Sequence, residues 1–343
     1  MRSAGRLLRA EVEENMKRIS AWAFVVASVW AGVGGCAADA PEPEQEEAAQ
    51  RGAAISQPAG VRHGIWVYSV YSSTGSGLLD TDPNGGQLAA FLSAHHINEV
   101  YLSVANNAFA SLPDRARIRA FVAGLRGVAG VRVEALIGQP TVGEYPIRKD
   151  HMLARITQIA AYNAEASSAA ERFDGIHLDL EPWVGRMQQP ELYEGIVEDL
   201  VSAFELAAAE ILARPESYNQ DMSLAADVGG LFYDRQPSDA RQSMLLAAGR
   251  LVLMEYEIAE DKVVTRMERA LADATADHPV MVSTRLQDFA LCTNGAVLGR
   301  FDTQWAATTG YGGWATFHYG HYDRGEPRVW TSYCPTEGCC DIP

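Results

Sequence analysis

Two carboxylates and an imidazole alternate along the segment FDGIHLDLEPW, at His177, Asp179 and Glu181. Because successive side chains of a β-strand point to opposite faces, these three share one face and the apolar residues between them share the other. Burying such a polar column costs free energy unless it serves a purpose. Neighbouring carboxylates also raise each other's proton affinity, which lets a Glu act as a general acid near neutral pH. The segment therefore predicts an acid–base site with Glu181 outermost.

Eight strand-like runs alternate with segments whose apolar residues recur every three or four positions, the spacing typical of helices. This alternation predicts an α/β fold, and eight parallel strands close a barrel, so we predict a single-domain (β/α)8 TIM barrel over 61–334. An open doubly wound sheet is the alternative, but the Gly-rich phosphate-binding turn expected after its first strand is missing from YSSTGSG. In a barrel, catalytic groups lie at the carboxyl ends of the strands. The runs are Gly64–Ser69, Glu99–Val104, Val131–Gly138, Gly175–Trp183, Met222–Val228, Arg250–Glu257, Val280–Leu286 and Gly313–Tyr319.

The N-terminal region has the composition of an export signal. Met16 opens a short basic stretch, an apolar run covers Ile19–Val33, and VGGC ends at Cys36. The run is short for a transmembrane helix and is typical of a signal peptide, while VGGC resembles the lipobox of bacterial lipoproteins. We therefore predict a signal over 1–36 with Met16 as the true start and lipidation at Cys36. An ordinary secretory signal is the alternative. Residues 37–60, rich in Ala, Pro and Glu, predict a disordered acidic tether.

Composition narrows the class of partner. The 343-residue chain has a formal net charge of −16, which argues against nucleic acid, because phosphates are bound through Lys and Arg. We expect a monomer that binds a polysaccharide or glycan and needs no cofactor. It would contact the bacterial outer membrane only through its lipid anchor, in the periplasm or at the cell surface.

Cysteine usage agrees with export. Besides Cys36 the chain has Cys292, Cys334, Cys339 and Cys340, an even number that suits an oxidising compartment. Three pairings are possible. We favour Cys292 paired with a cysteine of the C-terminal segment that follows the last strand and ends in the tail 335–343.

The fourth strand carries a resemblance. DGIHLDLE resembles the D-G-x-D-x-D-x-E signature on the fourth strand of family 18 glycoside hydrolases, the chitinases and their relatives. Asp174, Asp179 and Glu181 match the signature, whereas His177 replaces its first inner Asp. On the sixth strand MEYE, which contains Tyr256, resembles the M-x-Y-D of that family, but the third-strand S-x-G-G has no counterpart in ALIG. The resemblance therefore covers the barrel in outline and implies a distant branch of the family.

The resemblance implies roles for individual residues. Glu181 would protonate the glycosidic oxygen, and Asp179 would orient the N-acetyl group of the substrate, which itself attacks the anomeric carbon. Tyr256 would hydrogen-bond that acetamido group. If His177 is an imidazolium, it would lower the pKa of Asp179, where the Asp of the family would raise it.

A substrate without an N-acetyl group would need a second carboxylate as nucleophile or base. Asp227, at the end of the fifth strand, and Glu257 or Glu255, on the sixth, are the candidates. Glu255 is the weaker of these, because a register that turns Met254 and Tyr256 inward turns Glu255 outward.

Further substrate-binding candidates are spread over the barrel. Trp66 could stack on a sugar ring or fill the core. Arg285 could pair with Asp227, bind an anionic sugar, or form a structural salt bridge. The eighth strand places Phe317 or His318 near the sugar site of the family. Asp174 and His177 complete the set of substrate-binding candidates.

Three classes of function remain open at this level. The first is a glycoside hydrolase with Glu181 as the general acid. The second is a glycan-binding barrel that has lost its chemistry, which the substitution at His177 and the missing third-strand motif favour. The third is a metal-dependent phosphodiesterase, in which Asp179 and Glu181 would bind a divalent ion together with His177. In that case His63, near the start of the domain, would be a second catalytic histidine. We expect the first class, and no metal.

Overall fold

Eight parallel strands close a barrel in which each strand pairs with the next along the chain and the eighth pairs with the first. The computed structural model describes residues 60–68, 70, 77–103, 114–128, 130–214, 222–256, 260–285 and 291–317, without the side chains of 291–296. The predicted (β/α)8 TIM barrel is confirmed. The strands are β1 (Arg62–Val67), β2 (Glu99–Ser103), β3 (Arg132–Gly138), β4 (Gly175–Asp179), β5 (Ser223–Gly229), β6 (Leu251–Met254), β7 (Val280–Arg285) and β8 (Tyr311–Phe317).

Helices connect the strands and pack outside them. The longest, Tyr193–Leu212, buries Ile196, Leu200, Phe204 and Ile211 at intervals of four and seven, which is the apolar stripe expected of an amphipathic helix against a sheet. The α-helices are α1 (Leu78–Thr81), α2 (Gly86–Ala94), α3 (Arg115–Leu125), α4 (Lys149–Glu165), α5 (Tyr193–Leu212), α6 (Gly230–Asp234), α7 (Ser238–Ala248), α8 (Glu260–Asp273) and α9 (Leu291–Trp305).

The apolar interior has two parts, because strand side chains alternate between the helix layer and the barrel lumen. The large part lies between strands and helices, and the small part fills the lumen. Two glycines make room in the lumen for larger neighbours. A Cβ at Gly64 would lie 2.5 Å from the hydroxyl oxygen of Tyr101, and one at Gly175 would lie 2.2 Å from that of Ser223. The lumen cluster consists of Trp66, Tyr101, Leu136, Val252, Met281 and Ala315.

The strands β4 and β6 both end earlier than the sequence predicts. β4 ends at Asp179, so that Glu181 lies two residues beyond it, and β6 ends at Met254, so that Tyr256 also lies beyond its strand. Both side chains therefore belong to the loops at the carboxyl ends of the strands, where barrel enzymes carry their catalytic groups.

Several predictions concern residues outside the described ranges. These are the predicted signal and lipidation site at Cys36, nearly all of the predicted tether 37–60, the tail 335–343, and Cys334, Cys339 and Cys340. Cys292 lies in α9, but its side chain is outside the described set as well. No helix within the described ranges is both long and apolar enough to cross a membrane.

Candidate active site

Asp179 and Glu181 stand at the open end of the barrel, at and just beyond the end of β4. The Tyr68 hydroxyl donates a hydrogen bond of 2.9 Å to Oδ2 of Asp179. Oδ1 of Asp179 is buried and has no hydrogen-bond partner among the described residues. Glu181 is half-buried. The pair is thus partly accessible to solvent and partly withdrawn from it, and such burial raises the pKa of a carboxyl group.

Aromatic side chains surround the pair. The ring centroid of Phe317, at the end of β8, lies 5.5 Å from that of Tyr68 and 6.0 Å from that of Tyr256. The guanidinium carbon of Arg285, at the end of β7, lies 4.6 Å from the centre of the Tyr256 ring, within the range of a cation–π contact. We call Tyr68, Asp179, Glu181, Tyr256, Arg285 and Phe317 the mouth cluster.

The carboxyl groups of the mouth hold their protons unusually tightly. Burial raises the pKa of Glu181 to about 7, with a further contribution from the charge of Asp227. The pKa of Asp179 is raised well above its usual range, first by burial and then by Asp227 and Glu181. The same burial, together with these carboxylates, raises the pKa of Tyr256. Near neutral pH the mouth therefore offers proton donors.

His177 lies one layer below the mouth and joins two carboxylates. Its Nε2 lies 2.8 Å from Oδ1 of Asp227, and its Nδ1 lies 3.4 Å from Oε2 of Glu134. Burial alone would lower the pKa of His177, but the two carboxylates outweigh it and raise this pKa to about 9. The imidazolium does lower the pKa of Asp179, as the sequence suggests, but burial and the neighbouring carboxylates dominate.

A second group of charges fills the bottom of the lumen. The Arg250 guanidinium donates to both carboxylate oxygens of Glu99 at 2.9 Å and to Oε2 of Glu134 at 2.8 Å. The Tyr101 hydroxyl donates to Glu99 at 2.9 Å. Burial alone would raise the pKa of Glu134, yet Arg250 and His177 lower it to about 2. We call Glu99, Tyr101, Glu134 and Arg250 the lower-lumen network.

Three predicted substrate-binding residues are buried in the lumen. Trp66, His177 and Asp227 are at most 1% exposed. Both oxygens of Asp227 are engaged, one by His177 and the other by the indole N–H of Trp66 at 3.0 Å. This burial and these two contacts argue against Asp227 as the nucleophile or base.

Asp174 lies at the opposite end of the barrel from Glu181. It precedes β4, and its carboxylate is 2.7 Å from the Arg126 guanidinium and accepts a 2.7 Å hydrogen bond from the backbone N–H of Val133. The amino-terminal face of a barrel serves stability. The prediction that Asp174 binds substrate is corrected accordingly: it anchors the entry into β4.

The remaining candidates from the sequence lie at the mouth, behind the barrel wall or outside the described residues. Arg285 covers the Tyr256 ring, whereas Asp227 has His177 as its cation. Glu255 is fully buried on the helix side, 2.7 Å from Arg266. Glu257 and His318 lie outside the described residues.

His63 is far from the mouth carboxyls. It stands near the start of β1, stacks on Trp314 at a centroid distance of 4.4 Å, and lies 2.7 Å from Asp302. Because it belongs to the closed end of the barrel, it cannot share a reaction with Glu181.

The loop that carries Glu181 is held from both sides. Trp183 stacks on Phe232 with a centroid distance of 5.4 Å, and its indole fills the space that a Cβ at Gly229 would need. The Arg186 guanidinium donates to the carbonyls of Gly143 and Pro182, which ties the loop after β3 to the loop after β4. These contacts fix the backbone beyond Glu181, as precise chemistry requires.

Comparisons with known proteins concern the fold. The sequence matches no family model and no curated protein. The structure resembles Aspergillus clavatus Sph3, solved in complex with GalNAc, with a TM-score of 0.46 and 14% identity over 77% of this chain and 90% of that one. It also resembles a GH18 chitinase from Pseudoalteromonas aurantia, with a TM-score of 0.45 and 14% sequence identity over 76% of this chain and 95% of that one. For the modular endo-beta-1,4-mannanase of Cellulomonas fimi, the TM-score is 0.45 and the sequence identity is 10%, over 81% of this chain and 68% of that one.

Proposed function

We propose that this protein is a glycoside hydrolase that acts on N-acetylated glycans, with Glu181 as its general acid. The observation that carries the proposal is the pair of carboxyl groups at the end of β4, both with raised pKa values and neither ion-paired among the described residues. A carboxyl that keeps its proton to about pH 7 can protonate a leaving oxygen under physiological conditions.

The proposed reaction proceeds in two steps. Glu181 gives its proton to the glycosidic oxygen while the acetamido oxygen of the substrate bonds to the anomeric carbon and the bond to the leaving group breaks. Glu181, now a carboxylate, then takes a proton from water as that water opens the cyclic intermediate and restores the carboxyl group. Asp179 and Tyr256 hold the acetamido group, and Phe317 offers a flat apolar face to a sugar ring.

The choice of a substrate-assisted route follows from the fate of the other carboxylates. A two-carboxylate glycosidase needs a second carboxylate that can reach the anomeric carbon or a water beside it. Asp227 is enclosed by His177 and Trp66, and Glu255 faces Arg266 behind the barrel wall. Asp179, the neighbouring carboxyl group at the open end, has a raised pKa, and Glu257, the remaining candidate, lies outside the described residues. We therefore assign the nucleophile to the substrate as part of the proposal.

Location belongs to the same proposal. The VGGC motif supports export and lipid attachment at Cys36, which would place the barrel in the periplasm or at the cell surface, where a bacterium meets polysaccharides.

The test is hydrolysis of a panel of N-acetylated and plain polysaccharides, followed by the detection of new reducing ends. We expect cleavage of N-acetylated polymers, and we expect Glu181→Gln to lower turnover about 10²–10⁴-fold while glycan binding is retained, because the amide cannot donate the acid proton. Glu191→Gln, at an exposed position of the same loop, is the matched control and should have wild-type turnover.

Two outcomes would overturn the proposal. Unchanged turnover in a folded Glu181→Gln variant would remove Glu181 from the mechanism. Binding to a glycan without cleavage of any polymer would leave the glycan-binding barrel as the function.

A further inference from the structure

Asp227 is a buried anion held from two directions. Its Oδ1 faces the imidazole Nε2 of His177 at 2.8 Å, and its Oδ2 accepts the indole N–H of Trp66 at 3.0 Å. The other ring nitrogen of His177 faces the carboxylate of Glu134, and the two carboxylates raise the pKa of His177 to about 9, so the imidazole is protonated near neutral pH. Asp227 is then the anion of a buried ion pair.

The pairing register brings this anion level with the mouth. Leu178 pairs with Ala226 across β4 and β5, so the next residues, Asp179 and Asp227, are lateral neighbours on strands about 4.8 Å apart. His177 precedes Asp179 by two residues and therefore lies roughly 6–7 Å deeper along the strand. The His177–Asp227 pair is thus a dipole whose negative end points towards Asp179 and Glu181.

We propose that Asp227 is a positioning residue for the acid proton: it never contacts the substrate, and its fixed negative charge keeps the protons on Asp179 and Glu181. The inference deepens the proposed glycosidase function and rests on it. Two neighbouring carboxyl groups cannot both ionise cheaply, and Asp227 has the cation, so its charge raises the pKa of Asp179. The same charge opposes ionisation of Glu181, in agreement with its raised pKa.

This arrangement explains why the lumen contains a histidine and a carboxylate that no substrate can reach. Without His177 the charge on Asp227 would be unpaired in the barrel interior, where an isolated ion is costly. The lower-lumen network in turn supports His177 through Glu134. The ionisable groups around Asp227 and Glu181 on the described residues are His177 and Asp179 of β4, Tyr68 of β1, Tyr256 beyond β6 and Arg285 of β7.

The test measures the proton on Glu181 directly, by carbon NMR titration of its carboxyl group, a readout that needs no substrate. Asp227→Asn removes the charge with little change in shape. We expect it to lower the Glu181 midpoint by about one pH unit or more, and to move the alkaline limb of the kcat profile down by the same amount with KM unchanged. Ser283→Ala is the control, since it changes a fully buried, uncharged lumen residue; it should leave the midpoint in place.

A second variant keeps the inference falsifiable if Asp227→Asn does not fold. Asp227→Ser removes the same charge with a smaller side chain and should lower the Glu181 midpoint in the same direction. An unchanged Glu181 midpoint in either folded variant would overturn the inference. A lowered midpoint in a protein that cleaves no glycan would instead retain the electrostatic assignment and reject the proposed function.

Discussion

Carboxyl groups withdrawn from water lie at both the top and the bottom of the barrel lumen, but their pKa values are shifted in opposite directions. In the lower-lumen network, Glu134 is buried against Arg250 and His177, and its pKa is lowered to about 2. In the mouth cluster, Glu181 is also withdrawn from water, but it has no cationic partner among the described residues and its pKa is raised to about 7. The comparison shows that the partner decides whether a buried carboxyl is a structural ion or an acid.

The two regions also differ in what their burial achieves. Both carboxylates of the lower network face the Arg250 guanidinium, so the network stabilises one arrangement of the strands. The mouth leaves Oδ1 of Asp179 without a partner on the described residues, which is a cost in free energy that a substrate hydrogen bond can relieve. His177 joins the two regions, because it contacts Glu134 below and Asp227 above.

The largest effect on stability is expected from Arg250→Met, which breaks the lower-lumen network. It leaves Glu99 and Glu134 buried without their main cation, so the free energy of unfolding should fall by about 3–5 kcal/mol. Denaturant titration monitored by circular dichroism measures this change. Arg148→Gln removes the cation of an exposed pair, 3.4 Å from Asp150, and should have no measurable effect.

The comparison would fail if the two variants behaved alike. A loss below about 1 kcal/mol for Arg250→Met would mean that the lower carboxylates do not depend on their cation.

A smaller effect is expected from pH, through His177. Its pKa is raised from about 6.5 in the unfolded chain to about 9 in the folded one. The stabilisation from its charge is therefore complete below pH 6.5 and is lost as pH rises through 9. Linkage gives a fall on the order of 3 kcal/mol over this window. The measurement is the free energy of unfolding at intervals from pH 6.5 to 9.5.

A His177→Gln variant supplies the control for this profile. It should be less stable than the wild type at pH 6.5, and its stability should change less across the same window. Parallel profiles for the two proteins would show that His177 is not the group that titrates.

The fold and the position of Glu181 follow from the sequence because they depend on local periodicity. Alternation by two assigns His177, Asp179 and Glu181 to one face of β4, and the count of eight strands predicts the barrel. The partners of His177 lie 43 and 50 residues away, at Glu134 and Asp227. Contacts between residues so far apart in sequence depend on the register between parallel strands. The crossover helices set this register, and no local sequence pattern predicts it.

Exposure to solvent is the property that the sequence could not predict. Trp66 and Asp227 are candidates from the sequence, yet each is at most 1% exposed in the structure. A signal for the missed network does exist in the strand runs. Glu99 in EVYLSV, Glu134 in VRVEALIG and Arg250 in RLVLMEYE are charges in otherwise apolar strands. Such charges are buried only when they are paired.

The most direct test of the contrast between paired and unpaired carboxyls is the titration of the Glu181 carboxyl in the wild-type protein by carbon NMR, with its signal identified from its absence in Glu181→Gln. We expect a midpoint of about 7, so that the group is still about half protonated at neutral pH. A midpoint near the ordinary glutamate value of about 4.3 would mean that Glu181 is ionised at neutral pH, and it would rule out Glu181 as the proton donor of the mouth.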